Sequence, residues 1–199
     1  MTFTRTLPLL AVMIFSAGAP AAEMSGVFKF VIDLGGSSFG VSPPSGQQVD
    51  RVQMGHGFGF GKGISILNEA KTLQGEFTLS WFHSDHSNCD NSRNSNCPPP
   101  LPDDWNWDRF PIDALVFYRW SKIRLGGGLT YDLYSKFDSG GAASGLNFKA
   151  EPGARLEFDW RVIGYVNLGI RYTRQYFREV GSGTKLDGSG VGIVLTFVR

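Results

Sequence analysis

The chain has 199 residues, 19 basic against 18 acidic, and a formal charge of +1. That balance leaves no basic field to hold nucleic acid, and no run of eighteen apolar residues exists to cross a bilayer as a helix. With 26 glycines, 16 phenylalanines and 5 tryptophans, the composition is one of strands and turns.

The first residues read as an export signal. Arg5 supplies a positive start, Leu7 to Phe15 an apolar core too short to span, and Ala19-Pro20-Ala21 a small-x-small cleavage site. Residues 1–22 are therefore expected to be a cleaved signal peptide, with 23–199 as one domain. Loss of Arg5 takes the 19 basic residues to 18, equal to the 18 acidic ones, so the exported chain is formally neutral.

Eight period-two segments follow, and strict alternation sorts two faces only in a strand. The first sets Phe28, Phe30, Ile32 and Leu34 against Lys29, Val31 and Asp33. The second sets Met54, His56, Phe58 and Phe60 against glycines 55, 57, 59 and 61. Lys62 shares the phase of Phe60 and Ile64, so it faces out with them unless a glycine bulge re-aims it. The third sets Phe77, Leu79 and Trp81 against Glu76, Thr78 and Ser80. The fourth sets Ala114, Val116, Tyr118 and Trp120 against Asp113, Leu115, Phe117 and Arg119. The fifth sets Ile123, Leu125, Leu129, Tyr131 and Leu133 against Arg124, Gly126, Gly128, Thr130 and Asp132.

The sixth is the longest, alternating without a break from Leu146 to Trp160. Asn147, Lys149, Glu151, Gly153, Arg155, Glu157 and Asp159 oppose Leu146, Phe148, Ala150, Pro152, Ala154, Leu156, Phe158 and Trp160. Pro152 removes a ladder donor in mid-strand, so a bulge is expected at Pro152-Gly153. The seventh sets Val166, Leu168, Ile170 and Tyr172 against Asn167, Gly169, Arg171 and Thr173. The eighth sets Val191, Ile193, Leu195 and Phe197 against Gly190, Gly192, Val194 and Thr196.

The connections alternate long and short. Short turns are expected around Asn68-Glu69-Ala70, at Ser121-Lys122 and near Arg161; the other four connections are long. The longest holds both cysteines, and a Cys89–Cys97 disulfide is the natural reading in an exported chain. Metal binding with the nearby His83 and His86 is the sharper alternative, although zinc-site cysteines usually come in tighter pairs.

This rhythm predicts an all-β fold, a closed eight-stranded antiparallel up-and-down transmembrane barrel with both termini periplasmic. A soluble lipocalin-like barrel shares the strand count but turns its apolar face inward. Alternating loop lengths, aromatics at strand ends (Trp81, Trp120, Tyr131, Tyr172, Phe197) and glycines on the polar face favour the membrane form.

The polar face is then a lumen. Its charges are Lys29, Arg119, Arg124, Lys149, Arg155 and Arg171 against Asp33, Glu76, Asp113, Asp132, Glu151, Glu157 and Asp159. Near-balance in a narrow interior implies ion pairing, because an isolated charge away from water is costly. A selective pore favours one sign, so a plugged barrel is expected.

The domain resembles the small eight-stranded outer-membrane barrels: the membrane domain of OmpA, and the OmpX-like and opacity-type proteins. The resemblance covers nearly all of residues 25–199. It rests on this architecture and on the closing strand G-V-G-I-V-L-T-F, which looks like the signal read by the barrel assembly machinery. Family members usually end on the aromatic, whereas here Val198 and Arg199 follow Phe197. The resemblance implies an outer-membrane location and a role in envelope integrity, adhesion or lipid contact.

One segment has catalytic residue types, His83-Ser84-Asp85-His86-Ser87. Lipid A deacylases are eight-stranded barrels with a histidine and a serine on their outer surface. Here the His-Ser pairs are adjacent, and a strand points neighbours to opposite faces. G-F-G-F-G-K-G has no following helix and is not a phosphate loop; His56 reads as an interfacial residue. Arg174, Tyr176 and Arg178 continue the outward phase, placing Arg174 and Arg178 for lipopolysaccharide contact. The expectation is a monomeric, non-enzymatic barrel without cofactor or metal, acting in envelope structure or in surface interaction through its loops. Its partners are outer-membrane lipids, lipopolysaccharide and the assembly machinery. A lipid A-modifying enzyme and a small-solute channel are the alternatives.

Overall fold

A computed structural model of the chain describes residues 23–35, 38–41, 50–53, 56–86, 105–139, 147–181, 183 and 185–199. The N-terminal segment 1–22 lies outside these, as do Cys89, Cys97 and Ser87. Eight strands close a barrel: β1 Glu23–Leu34, β2 Gly57–Leu67, β3 Leu73–His86, β4 Trp105–Trp120, β5 Ile123–Ser139, β6 Gly153–Ile163, β7 Val166–Arg174 and β8 Gly190–Val198. Each pairs antiparallel with its chain neighbours, and β1 pairs with β8 from Val27↔Val198 to Leu34↔Val191. The ladder therefore has no free edge, the up-and-down closure expected from the loop rhythm.

The short turns share one rim with Glu23 and Arg199, the ends of the described barrel; the strands enter and leave the long connections at the other rim. Asn68 shapes the first turn by accepting the amides of Thr72 and Leu73 on its side-chain oxygen, both at 2.9 Å. Ser121 takes φ 54° in the second. The third lies at Gly164-Tyr165, three residues beyond the expected place, where the glycine takes φ 44°. Arg161 is still within β6.

The wall is apolar outside and polar inside. Outward residues include Phe28, Phe30 and Ile32 on β1, Leu125 and Leu129 on β5, Leu156 and Phe158 on β6 and Ile170 on β7, all exposed. Lys29, Glu76, Asp113, Arg124, Arg155, Glu157 and Arg171 point inward, each no more than 4 % exposed. This inverts a soluble barrel, and a continuous apolar belt of this size matches hydrocarbon rather than water. Aromatics ring both ends: Trp81, Phe110, Tyr131, Tyr134 and Tyr172 towards the loop rim, Tyr118, Trp120, Trp160 and Tyr165 at the turn rim. Lys62 stands on the outer wall between Phe28 and Leu79 in continuous register, so no bulge re-aims it. It is the central residue of β2, with a stem long enough to carry the ammonium towards an interface.

Two prolines change the facing of strands near the loop rim. Opposite Pro111 the register shifts, and Leu133 and Tyr134 both turn outward on β5. At Pro152 the expected bulge is a full break: β6 begins at Gly153, and Phe148–Ala150 joins a separate sheet with Tyr176–Glu179 and Lys185–Asp187. The Glu151 amide donates to the Tyr176 carbonyl at 2.8 Å, and Pro152 has no amide to continue the ladder. Before the break Phe148 and Ala150 face in; after it Gly153 and Arg155 do. Lys149 and Glu151 therefore stand outside the barrel, a correction to the lumen assignment. A second hairpin, Ser38–Val41 with Asp50–Gln53, lies in the first long connection.

Candidate functional site

The lumen is filled in layers. Nearest the turn rim, Gln74 donates to Ser65 at 2.8 Å. Above it, Lys29 holds Glu157 at 2.8 Å and also pairs with Glu76. Arg124 reaches Glu76 at 2.9 Å, Glu157 at 3.5 Å and Asp159 at 2.5 Å. Two cations thus bind three carboxylates within one layer. The Phe117 ring lies against both cations, 4.3 Å from the Arg124 guanidinium and 5.5 Å from the Lys29 ammonium. Higher still, Arg171 forks onto Asp33 at 2.8 and 2.5 Å, and Arg155 pairs with Asp113 while donating to Thr173 at 3.1 Å. Glycines make the room: Gly126 lies opposite Phe117 in register, Gly169 opposite Asp159 and Gly192 opposite Asp33.

Above these layers the interior changes character. Phe82, Trp107, Phe137, Phe148 and Phe177 form a buried aromatic lid under the loop rim. Trp107 meets Phe177 edge-on at 4.7 Å and donates its indole N–H to Ser135 at 2.6 Å. Arg109 sits below, 4.4 Å from the Phe82 ring, 5.1 Å from Trp107 and 5.5 Å from Phe177. Its acid, Asp132, is 3.7 Å away. Among the described residues, neither Asp132 oxygen, nor Arg109 Nε, nor Gln175 Nε2 has a hydrogen-bond partner. They line a cavity of about 10 Å3, room for one water to bridge them.

Ten of the thirteen charges assigned to the lumen from sequence lie in these layers. Arg119 is half-exposed at the turn rim, in no ion pair among the described residues. Lys149 and Glu151 are outside. Arg109 is an addition: it lies on β4 above Pro111, where W-N-W-D-R-F holds the signal, with Trp107 and Arg109 inward and Asn106 and Asp108 outward.

On the outer wall near the loop rim, His83 Nδ1 lies 2.8 Å from Asp108 Oδ1, and the Trp81 indole donates to the same oxygen at 3.2 Å. Phe58 packs edge-on against both rings. Ser84 points the other way and is buried. The strand thus separates His83 from its serine neighbour and gives it an aspartate from β4. The side chains of Asp85 and His86 and all of Ser87 lie outside the described residues.

The small sheet formed by Phe148–Ala150, Tyr176–Glu179 and Lys185–Asp187 turns Phe148, Ala150 and Phe177 towards the lid. Its other face is polar. Arg178 and Lys185 both bond Glu151, at 2.9 and 3.0 Å, and these bonds hold the Glu151 carboxyl below its usual range. Arg174 lies on the same outer side, its guanidinium 3.3 Å from the Tyr176 hydroxyl.

No protein-family model and no curated protein matches the chain. The fold is similar to that of outer membrane protein AlkL, determined by solid-state NMR in DMPC lipid bilayers. The likeness has a TM-score of 0.50 at 14% identity and covers 99% of this chain and 97% of that one. At that identity it speaks for the barrel fold alone.

Proposed function

We propose that the protein is a monomeric outer-membrane barrel with a non-enzymatic role in envelope structure or in surface interaction through its long connections. One observation carries this reading: Lys62 apart, outward residues are apolar up to the ring of Trp81, Phe110, Tyr134 and Tyr172, and above it polar ones take over at His83, Asp108, Lys136 and Arg174. That is the profile of a wall leaving hydrocarbon for water. Closure leaves the barrel wall no strand edge for a second copy, and β8 resembles the strand read by the assembly machinery, with Val198 and Arg199 beyond the aromatic.

Other features favour structure over chemistry or transport. His83 shares its patch with Asp108, Trp81 and Phe58, while Ser84 lies inside the wall. Ion pairs and aromatics fill the lumen, where a pore needs a wet path. The test is fractionation of cells that express the protein, with lipid A profiled by mass spectrometry. A heat-modifiable band in the outer-membrane fraction and an unchanged lipid A profile are expected. A band confined to the soluble fraction sinks the location. A lost acyl chain that returns in His83→Ala sinks the non-enzymatic role and installs the deacylase-like alternative.

A further inference from the structure

The outward face of the loop sheet carries charges that it does not itself balance. Arg178 stands opposite Lys185 on one side and Lys149 on the other, three cations in one row across three strands. Like charges so placed repel. Arg174 adds a fourth, and the Tyr176 ring lies between it and Lys185, 5.9 and 4.1 Å from the two charges. Two acids share this face. Glu151 is held by Arg178 and Lys185, and Asp187 accepts the Ser189 amide at 2.9 Å. Lys149 and Arg174 are in no ion pair among the described residues. Four cations against two acids leave a net charge of +2.

The position of the patch names its partner. Arg174 pairs with Ala154 directly above the outward Tyr172 and Leu156, so the cations continue the apolar wall upward. The reverse of the same sheet is buried over the lumen. A ligand bound here stands beside the barrel, with its charged part at the rim and its apolar part along β6 and β7. We propose that this face binds the phosphorylated headgroup of an acylated glycolipid of the outer leaflet, with Lys149, Arg174, Arg178 and Lys185 donating hydrogen bonds to its phosphate oxygens and Tyr176 as a platform. The assignment rests on the outer-membrane reading and extends the arginine pair of the sequence to a five-residue surface. Arginine forks match phosphate oxygens, and the acyl chains lie along Leu156, Ile170 and Tyr172.

The experiment titrates the detergent-purified barrel with bisphosphorylated lipid A and reads adducts by native mass spectrometry. Heat-modifiable migration and outer-membrane fractionation are checked for every variant. Binding by the wild type is expected, weakened at least about tenfold in the triple variant Lys149→Gln/Arg178→Gln/Lys185→Gln. Glu151→Gln, which frees two cations, tightens it. Equal affinity in a folded triple variant overturns the proposal. If that variant does not fold, Glu151→Gln decides, because it removes no cation: tighter binding supports the proposal and unchanged binding overturns it. Soluble dextran sulfate that binds the patch as tightly as lipid A overturns the choice of a lipid. A wild type absent from the outer membrane sinks the location instead, so the two failures are distinct.

Discussion

Gly126 lies directly opposite Phe117 on the inner wall, and a methyl group built on it overlaps the Phe117 ring. Backbone conformation is no bar there; the obstacle is steric. Gly126→Ala must push Phe117 off the Lys29 and Arg124 cations, and overpacking of this kind costs about 1–3 kcal/mol. The urea midpoint of heat-modifiable migration is expected to fall, whereas Gly26→Ala, with nothing within 4 Å, leaves it in place. Phe117→Ala in the Gly126→Ala background should be less damaging than Phe117→Ala alone, because the ring is what the methyl meets. Equal midpoints for Gly126→Ala and wild type would refute the packing argument. The same logic makes the inner glycines readable in sequence. A narrow barrel with large groups on one strand needs small ones opposite, although which glycine serves which partner depends on register.

At the scale of the strand, the sixth alternating segment shows what a sequence pattern can and cannot carry. From Leu146 to Trp160 polar and apolar residues alternate without a break, yet the facing reverses at Pro152. Below it polar residues point into the lumen and apolar ones at hydrocarbon. Above it polar residues point at water and apolar ones into the lid. The facing and the outside solvent change at the same place, so the two reversals cancel in the sequence and only the proline marks the event. The eight spans were legible because each sits between lumen and lipid. Arg109 and the aromatic lid were not, because above the loop-rim ring an inward aromatic and an outward aspartate reverse the code. Cysteine substitution tests the reversal. Lys149→Cys should react with a membrane-impermeant maleimide on intact cells, while Glu157→Cys, eight residues along in the same polar phase, stays unlabelled. Equal labelling at both would restore a single continuous strand.

For the whole molecule, the layered interior sets what can pass. A solute entering from the loop rim meets Trp107, Phe137, Phe148 and Phe177, then Arg109 with Asp132, then the Arg171–Asp33 and Arg155–Asp113 pairs. Below these lies the layer of Lys29, Glu76, Arg124, Glu157 and Asp159 packed on Phe117. Each pair is buried, and separating one leaves uncompensated charge at a cost of about 3–5 kcal/mol. Several such barriers in series stop ions. The wild type in a planar bilayer is therefore expected to show no resolved conductance steps. Trp107→Ala removes part of the lid only, and its trace should stay flat. Arg124→Ala with Phe117→Ala is different: it leaves Asp159 without a cation, leaves Lys29 alone to hold Glu76 and Glu157, and opens space beside them. Water then solvates three carboxylates that face one remaining cation, and the resulting leak should select cations, as an acidic constriction does. Steady open-channel steps from the wild type would show that the ion-paired layers move apart in the membrane, and would replace the structural reading with the channel.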